Sequence, residues 1–237
     1  MKKLFALILA ALMVLSLTAC GGDSAATEAP TKAADEPSAA ADADVQAIID
    51  RGVLRVGVKN AVIGFGYQDP ISGEYSGMEI DIAKALAAQL GVDVEFTTVT
   101  AATRTELLDS GDIDCVLATF TITDERKQSW DFTTPYYTDH VTVLVEDSSG
   151  IKTLADLKDK LVGVSSGSTS ARALVSAMVD AGVLDGANFS KDTFDPATWK
   201  EGISFQQFDD YPGISTALAA GQVDAFCVDK SILAVYK

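Results

Sequence analysis

One order of strands and helices occurs twice in this chain, and it restricts the possible folds more than any other feature. Each half alternates apolar, strand-like runs with amphipathic helical patterns. The first half has strand-like runs at 54–58, 92–99 and 113–119 and helical patterns at 79–90 and 103–109; the second has strand-like runs at 160–164 and 203–208 and helical patterns at 168–180 and 211–220. This order predicts, in each half, a mainly parallel sheet flanked by helices.

The repeated order also predicts how the chain is divided. We expect one lobe at 45–138 and a second at 146–228, joined by an extended hinge at 139–145. Two similar lobes imply a cleft between them, and small ligands bind in such clefts at the carboxyl ends of strands.

The amino terminus has the pattern of a secretory signal peptide at 1–19, with two lysines, an apolar run and small residues before Cys20. The apolar run is shorter than the roughly 20 residues that span a bilayer. Leu17 to Cys20 resembles the bacterial lipobox, in which the cysteine carries lipid. Residues 20–44 are small and polar, which predicts a disordered tether. We therefore expect an extracytoplasmic domain, anchored to the membrane through Cys20.

Charge and composition exclude several classes of function. The net charge of −16 argues against binding nucleic acid or anionic lipid headgroups. His140 is the single histidine, which argues against a Ser/His/Asp triad. Cys115 and Cys227 lie in apolar runs, which favours free core thiols over a disulfide. No spacing typical of metal ligands is present, so we predict neither a metal nor a cofactor.

A short motif suggests the ligand. In the stretch 118–126, the hydroxyls of Thr119 and Thr121 are followed by Arg126. Strand alternation points both hydroxyls the same way, and a guanidinium binds a carboxylate through two hydrogen bonds. Asp229 can bind an ammonium group. These residues predict a site for a zwitterion, such as an amino acid, although composition alone also fits exposed strand threonines and a surface arginine paired with a neighbouring carboxylate.

From about Val53 to its last residue the chain resembles the family 3 solute-binding proteins, the polar amino-acid receptors of bacterial ABC importers. The order and spacing of several motifs carry the resemblance: 54–58, 77–83, 118–126, 132–137, 163–169 and 223–231. Within the family, the chain is most similar to aspartate and glutamate receptors, with cystine and glutamine receptors close behind. The resemblance implies a two-lobed periplasmic-binding-protein fold in a monomer that binds an L-amino acid, delivers it to a permease and is not an enzyme.

The resemblance also implies roles for residues that would contact the amino-acid backbone. Arg126 matches the residue that binds the α-carboxylate, Asp229 matches the ligand of the α-ammonium, and Thr119 and Thr121 match positions that bond the backbone. Thr169 matches a second carboxylate donor, and it begins a predicted helix, where free N–H groups favour an anion. An ordinary helix N-cap at Ser168 or Thr169 stays open as an alternative, as does a pair of Asp229 with Lys230.

Other matched positions would hold the rest of the ligand. Phe65 matches an aromatic that packs on the ligand. Lys59, Arg104 and Tyr211 match positions that bind the distal carboxylate in aspartate and glutamate receptors. Two cations favour an acidic ligand and disfavour a basic one. Two solvated surface cations remain an alternative, and Glu106 could partly neutralise Arg104.

The chain departs from the family pattern in two places. The segment 183–202 is longer than usual, which predicts a surface insertion in the second lobe. The family normally continues beyond Lys237 with a strand and helices, so we expect 229–237 to be a second hinge at the start of a truncated return to lobe 1. Two alternative functions remain on this scaffold: a cyclohexadienyl dehydratase, with Asp229 or Glu79 as the acid, and a ligand-sensing module.

Overall fold

A computed structural model describes residues 39–237, with side chains from residue 43, and these residues form one compact unit. The predicted signal peptide at 1–19, the lipidation of Cys20 and most of the tether lie outside the described residues. Helix α1 (Ala39–Arg51) begins before the predicted start of the fold at residue 45. Its alanine-rich sequence has high helix propensity, and Ile48 anchors the helix to the first core.

The first half is built around a three-stranded parallel sheet. In chain order it contains β1 (Val53–Val58), β2 (Ala61–Val62), β3 (Gly66–Gln68), β4 (Tyr75–Ser76), α2 (Met78–Leu90), β5 (Asp93–Thr98), α3 (Arg104–Asp109) and β6 (Cys115–Leu117). The order in the sheet is β5-β1-β6, and Val56 pairs with both Phe96 and Cys115. Strands β2, β3 and β4 form a small antiparallel sheet.

The second half has a four-stranded sheet with the order β7-β10-β8-β9. After a 3-10 turn at Arg126–Gln128, it contains β7 (Val141–Leu144), 3-10 turns at Asp147–Ser149 and Leu154–Leu157, β8 (Leu161–Ser165), α4 (Ser170–Asp180), β9 (Ser204–Phe208), α5 (Tyr211–Ala219), β10 (Ala225–Asp229) and α6 (Lys230–Leu233). Strand β7 is antiparallel to β10, and the other pairs are parallel. The prediction of an α/β fold with mainly parallel sheets is therefore confirmed.

The two predicted hinges contain regular structure. The segment 139–145 includes β7, in which Val143 pairs with Cys227 inside the second sheet. The segment 229–237 includes the end of β10 and all of α6. Backbone hydrogen bonds of β7 therefore tie the connecting segment to the second sheet, a pairing that its extended, apolar pattern did not reveal.

Apolar clusters fill the space between sheets and helices. Between α2 and the first sheet, Ile80 of the helix packs with Leu54 and Val56 of β1, and all three are buried. The second half has a cluster on each face of its sheet. Val62 of the small sheet packs with Tyr211 and Ile214 in one of these clusters, so side chains of the two halves share a core.

The segment 183–202 contributes to packing as well as to the surface. Phe189, Phe194 and Trp199 contact one another with ring centroids between 5.4 and 5.9 Å apart, and Phe194 also contacts Phe205. These rings lie against the core of the second half. The predicted surface insertion is thus a loop fixed by an aromatic cluster.

The cysteines of the two apolar runs form no disulfide with each other. Cys115 is half-buried and Cys227 is buried, and both thiols are free. Among the helices of residues 39–237, none combines the length and apolar character needed to cross a membrane.

Candidate functional site

The residues singled out by sequence converge where the strands of the two sheets end. Lys59 directly follows β1, Thr119 lies just beyond β6, Asp229 ends β10 and Tyr211 begins α5. The carboxyl ends of parallel strands meet at one edge of a sheet, which explains why residues so distant in sequence approach one another.

Arg104 lies in the interior of this region. Arg104 is the first residue of α3, and only 2% of its surface is exposed. Its Nη1 donates to the carbonyl oxygens of Ala118 at 2.8 Å and Thr119 at 3.2 Å, whereas Nε has no partner among the described residues. Burial, followed by the charge of Arg126, lowers the pKa of Arg104 to about 10, so it remains cationic near neutral pH. This placement excludes the alternative of a solvated surface cation.

Lys59 is a second buried cation. It is 5% exposed, and its Nζ lies 5.8 Å from the centroid of the Tyr211 ring. Burial and the charge of Arg104 lower the pKa of Lys59 to about 7, against smaller opposing effects of Glu79 and Asp210. Lys59 thus changes charge near neutral pH, and its ammonium can be stabilised by an incoming anion.

Tyr211 and Thr119 form the adjoining wall. Burial raises the pKa of the Tyr211 phenol to about 12, so it stays protonated and can donate a hydrogen bond. The Thr119 hydroxyl is close enough to lower the pKa of Tyr211 against this effect, but it is buried without hydrogen-bonding geometry to any described group. Within the described residues the Thr119 hydroxyl therefore lacks a hydrogen-bond partner, and a buried hydroxyl without a partner is costly.

Glu79 was named from the sequence only as a possible acid of a dehydratase, and its contacts in this region were not predicted. Its side chain is fully buried in the first turn of α2. Oε1 accepts hydrogen bonds from the Thr119 N–H at 2.6 Å and the Tyr136 hydroxyl at 2.6 Å, while Oε2 has no partner among the described residues. Burial raises the pKa of Glu79, and these two donors oppose that effect. The available sequence signal was an acidic residue at a core-facing position of an amphipathic helix.

The Thr119 backbone has an unusual conformation. Its φ is 47°, in the left-handed region that non-glycine residues adopt rarely. Its N–H is held by Glu79 and its carbonyl oxygen by Arg104. Two buried charged groups thus fix the turn that carries Thr119 out of β6.

Arg126 connects the two halves. Its Nη1 donates to the Thr121 carbonyl oxygen at 2.9 Å, and its Nη2 donates to the Gly167 carbonyl oxygen at 3.1 Å. The Phe120 ring lies beneath both this guanidinium, at 4.5 Å, and that of Arg104, at 4.1 Å. Burial, followed by the charge of Arg172, lowers the pKa of Arg126 to about 10, which leaves it charged near neutrality.

The loop before α4 supplies further donors. Thr169 occupies the N-cap position of α4, and its side chain makes no capping hydrogen bond. The Ser168 hydroxyl accepts a long bond of 3.4 Å from the Ser170 N–H instead. Neither Ser168 nor Thr169 therefore makes a side-chain N-cap of α4, and the Thr169 hydroxyl has no capping role.

Asp229 makes no ion pair with Arg126 among the described residues. Burial raises the pKa of Asp229, and the nearby negative charge of Asp139 adds to this effect. Among the ion pairs of the described residues, none joins Asp229 to Arg126 or to Lys230. The negative charge of Asp229 adds to the rise in the pKa of Tyr211 that burial causes. A carboxylate in this setting is stabilised by an added cation.

Phe65 occupies the loop between β2 and β3. It packs edge-on against Tyr137 with ring centroids 5.1 Å apart and borders the cluster that contains Tyr211. The structure therefore brings the predicted aromatic to the junction of the two halves.

Two further contacts hold the halves together beside the site. Arg172 of α4 forms an ion pair with Glu125, with Nη1 2.7 Å from Oε2. Gly167 has a φ of 72° and lies so close to Ala101 that a Cβ at this position would be 2.7 Å from the Ala101 carbonyl oxygen. Within residues 39–237, no cluster of His, Cys, Asp and Glu side chains is arranged to hold a metal ion.

Comparison with known proteins confirms the predicted fold class. The family model for bacterial extracellular solute-binding proteins, family 3, matches residues 54–193. A glutamine-binding protein of Geobacillus stearothermophilus is 33% identical over 230 residues, covering 95% of this chain and 79% of that protein. The ABC transporter glutamine-binding protein GlnH of Bacillus subtilis is 35% identical, covering 98% of this chain and 77% of that protein. A crystal structure of the ancestral amino acid-binding protein AncCDT-1, a precursor of cyclohexadienyl dehydratase, matches with a TM-score of 0.67 and 32% identity, covering 81% of this chain and 76% of that one.

Proposed function

The chain belongs to the bacterial extracellular solute-binding proteins of family 3, and on this basis we propose that it binds a polar L-amino acid for import through an ABC permease. The observation that supports this most strongly is the convergence of Lys59, Arg104 and Arg126 where the two sheets meet. Lys59 and Arg104 are almost completely buried, and Arg126 is partly buried. Their cationic donors need an anion, and a free amino acid provides one or two carboxylates.

The α-carboxylate is assigned to Arg126, Thr121 and the start of α4. Arg126 already joins Thr121 to Gly167, and the Thr169 hydroxyl is unused at the N-cap. The N–H groups of a helix N-terminus add a favourable dipole. The α-ammonium is assigned to Asp229, because a cation there offsets the cost of burying its carboxylate. The Thr119 hydroxyl supplies a further polar contact to the backbone of the ligand.

The side-chain pocket favours an acidic ligand. Lys59, Arg104 and Tyr211 each present a hydrogen-bond donor, and two of the three carry charge. We therefore propose glutamate or aspartate as the preferred ligand. Glutamine comes next, because relatives that match most of this chain are glutamine-binding proteins. Phe65 covers the apolar stem of the ligand from the loop between β2 and β3.

Binding is expected to favour the arrangement in which the two halves are in contact. The Arg126 bond to Gly167 and the ion pair of Arg172 with Glu125 both join the halves beside the site. A ligand that contacts both halves stabilises this arrangement in proportion to its greater affinity for it. The membrane permease then receives the ligand from this form.

The cellular setting follows from the amino terminus. We propose that residues 1–19 direct export and that lipid on Cys20 holds a monomeric receptor at the outer face of the membrane. Mass spectrometry of membrane fractions tests this directly. A mature protein that begins at Cys20 with added lipid mass supports the proposal, and a soluble protein without that mass contradicts it.

Calorimetry with glutamate, aspartate, glutamine, cystine and arginine tests the binding function. We expect heat and thermal stabilisation with the two acidic ligands, a weaker response with glutamine and none with arginine. The absence of both heat and stabilisation with all five ligands, in protein shown to be folded by circular dichroism, contradicts the receptor function.

A dehydratase is the second candidate, and Glu79 favours it. A buried carboxyl with a raised pKa and one unpartnered oxygen can protonate a leaving hydroxyl, which departs as water while carbon dioxide is lost. The match to AncCDT-1, described as a precursor of cyclohexadienyl dehydratase, makes this reaction worth testing. Incubation with prephenate or arogenate and an absorbance reading decides it. An aromatic product that depends on Glu79 supports an enzyme, and no product supports a binding protein.

A further inference from the structure

A buried carboxylate, Glu79, lies beside the cations of the side-chain pocket, and Asp210 is a second acidic group that acts on Lys59. Glu79 is fully buried, and it interacts electrostatically with Lys59 and with Arg104, both of which are also almost completely buried. Charges in such a place are not screened by water as surface charges are. The charge of Glu79 therefore acts on any group that reaches the two cations.

The two oxygens of Glu79 have different environments. Oε1 accepts from the Thr119 N–H and the Tyr136 hydroxyl, both at 2.6 Å, which fixes the side chain. Oε2 is buried and has no partner among the described residues. Oε1 thus makes both hydrogen bonds that fix the side chain, and neither bond needs the acceptor to be charged. An amide in the same place could accept both hydrogen bonds without the charge.

We propose that Glu79 is a specificity-determining residue that sets the relative affinity of this site for glutamate and for glutamine. The inference rests on the proposed function and assigns to Glu79 no contact with the ligand. In its ionised form, Glu79 offsets one of the two positive charges of Lys59 and Arg104. The pocket then attracts a side-chain carboxylate less strongly than two unopposed cations would, and a neutral amide remains an acceptable ligand.

The direction of the effect follows from the sum of charges. With Glu79 ionised, the three side chains have a net charge of +1 when Lys59 is protonated and of 0 when Lys59 is neutral; with a neutral residue at 79 the corresponding charges are +2 and +1. A carboxylate ligand gains from the additional positive charge, whereas an uncharged amide does not. The ratio of the glutamate and glutamine affinities isolates this effect of charge, because any effect of Glu79 on the shape of the site acts on both ligands.

The test compares glutamate and glutamine binding by calorimetry in wild type and in Glu79→Gln, at pH 7.5 and low ionic strength. Glutamine at this position retains an oxygen that can accept from Thr119 and Tyr136. We expect the ratio of glutamate to glutamine affinity to rise at least tenfold, because a unit charge within about 12 Å contributes that much or more at an effective dielectric constant near 20. A ratio within twofold of the wild type, or a lower one, overturns the inference.

Two control variants separate charge from position. Tyr136→Phe removes one hydrogen bond to Glu79 and keeps its charge, so both affinities should fall while their ratio stays within twofold. Asp81→Asn removes a negative charge from an exposed position of the same helix, and it should leave the ratio unchanged because water screens that charge. A tenfold rise in the ratio in either control also overturns the inference.

Two outcomes are kept distinct. If the wild-type protein binds none of the five amino acids tested above, the proposed function fails; if it binds glutamate and glutamine and the Glu79→Gln ratio is unchanged, only the inference about Glu79 fails. Should Glu79→Gln fold poorly, the double variant Glu79→Gln with Tyr136→Phe removes the Tyr136 hydroxyl and leaves the glutamine oxygen to accept from the Thr119 N–H alone. The same tenfold rise in the ratio is expected there, and its absence overturns the inference.

Discussion

Two arginines contact the same phenylalanine ring, yet their surroundings differ. Arg104 and Arg126 lie 4.1 and 4.5 Å from the centroid of Phe120. Arg104 is 2% exposed and donates to carbonyl oxygens of Ala118 and Thr119, so its contacts remain within the first half. Arg126 is only partly buried and donates to Gly167 of the second half.

This difference assigns a separate part of recognition to each arginine. Arg104 is held by carbonyl oxygens of its own half, and we propose that with Lys59 it sets the charge of the side-chain pocket. Arg126 gains part of its contacts only when the halves approach, so any ligand that binds it also stabilises that approach. Overall affinity should therefore depend mainly on Arg126, and selectivity mainly on Arg104.

The largest effect is expected for Arg126→Ala. Because every amino acid carries an α-carboxylate, the variant should lose binding of all ligands by about a hundredfold or more, as for loss of a buried partner in a charge pair. Calorimetry with glutamate and glutamine measures the loss. Arg126→Lys keeps the charge without the two-pronged donor and should retain weak binding. Near-normal affinity in Arg126→Ala contradicts the comparison.

Arg104→Ala should have a smaller and more selective effect. We expect glutamate affinity to fall by about thirtyfold and glutamine affinity by much less, because the lost cation faces the side chain of the ligand. Arg104→Lys should preserve the preference for glutamate. The variant also deprives the Ala118 and Thr119 carbonyl oxygens of a donor, so thermal unfolding must show that it remains folded. Equal losses for both ligands reject the proposed role.

The pH dependence of binding should identify Lys59. In the free protein the pKa of Lys59 is about 7, whereas Arg104 and Arg126, at about 10, stay charged across the range of interest. A bound carboxylate raises the pKa of Lys59, so glutamate binding takes up a proton above pH 7. Glutamate affinity should be greatest below pH 7 and should fall between pH 7 and 9 by up to tenfold per unit.

Titrations of glutamate and glutamine from pH 6 to pH 9 measure this slope. Glutamine, which carries no side-chain charge, should show a much flatter profile. The variant Lys59→Gln should lose the slope for glutamate. A steep slope that persists in Lys59→Gln assigns the titration to another group.

The smallest effect is expected where the two halves touch at Gly167. In Gly167→Ala the new Cβ would lie 2.7 Å from the Ala101 carbonyl oxygen, so the halves or the loop must shift. We expect affinity to fall a few-fold for all ligands and stability to fall by about 2 kcal/mol. Gly182→Ala is a matched control, because Gly182 has a similar φ of 70° with no atom near the added Cβ. Equal effects in the two variants assign the loss to the φ angle alone.

Much of the fold could be predicted from local patterns. The runs at 54–58 and 160–164 are strands β1 and β8, and the apolar spacing at 79–90 marks helix α2 within one residue. Periodicity succeeds here because each element buries one face or a whole run against a sheet. The extended segment at 139–145 was harder to interpret, because its pairing with β10 depends on residues far along the chain.

The candidate site was predicted in part. The grouping of Lys59, Arg104 and Tyr211 followed from a family resemblance, and the structure brings these three side chains together. The fixing of Thr119 by Glu79 could not be predicted, because no short-range pattern relates a helix residue to a backbone N–H forty positions away. Nor does composition reveal that Thr119 adopts a positive φ.

The sequence alone determined the main strands and helices, their repetition in two halves and the charged groups available for a ligand, because these properties depend on neighbours in the chain. Tertiary structure decided which of those groups lose water. Burial converts Lys59 into a group that titrates near neutrality and leaves Glu79 with an unpartnered oxygen beside two cations. Desolvation depends on every side chain packed around a charge, and that environment exists only once the two halves meet.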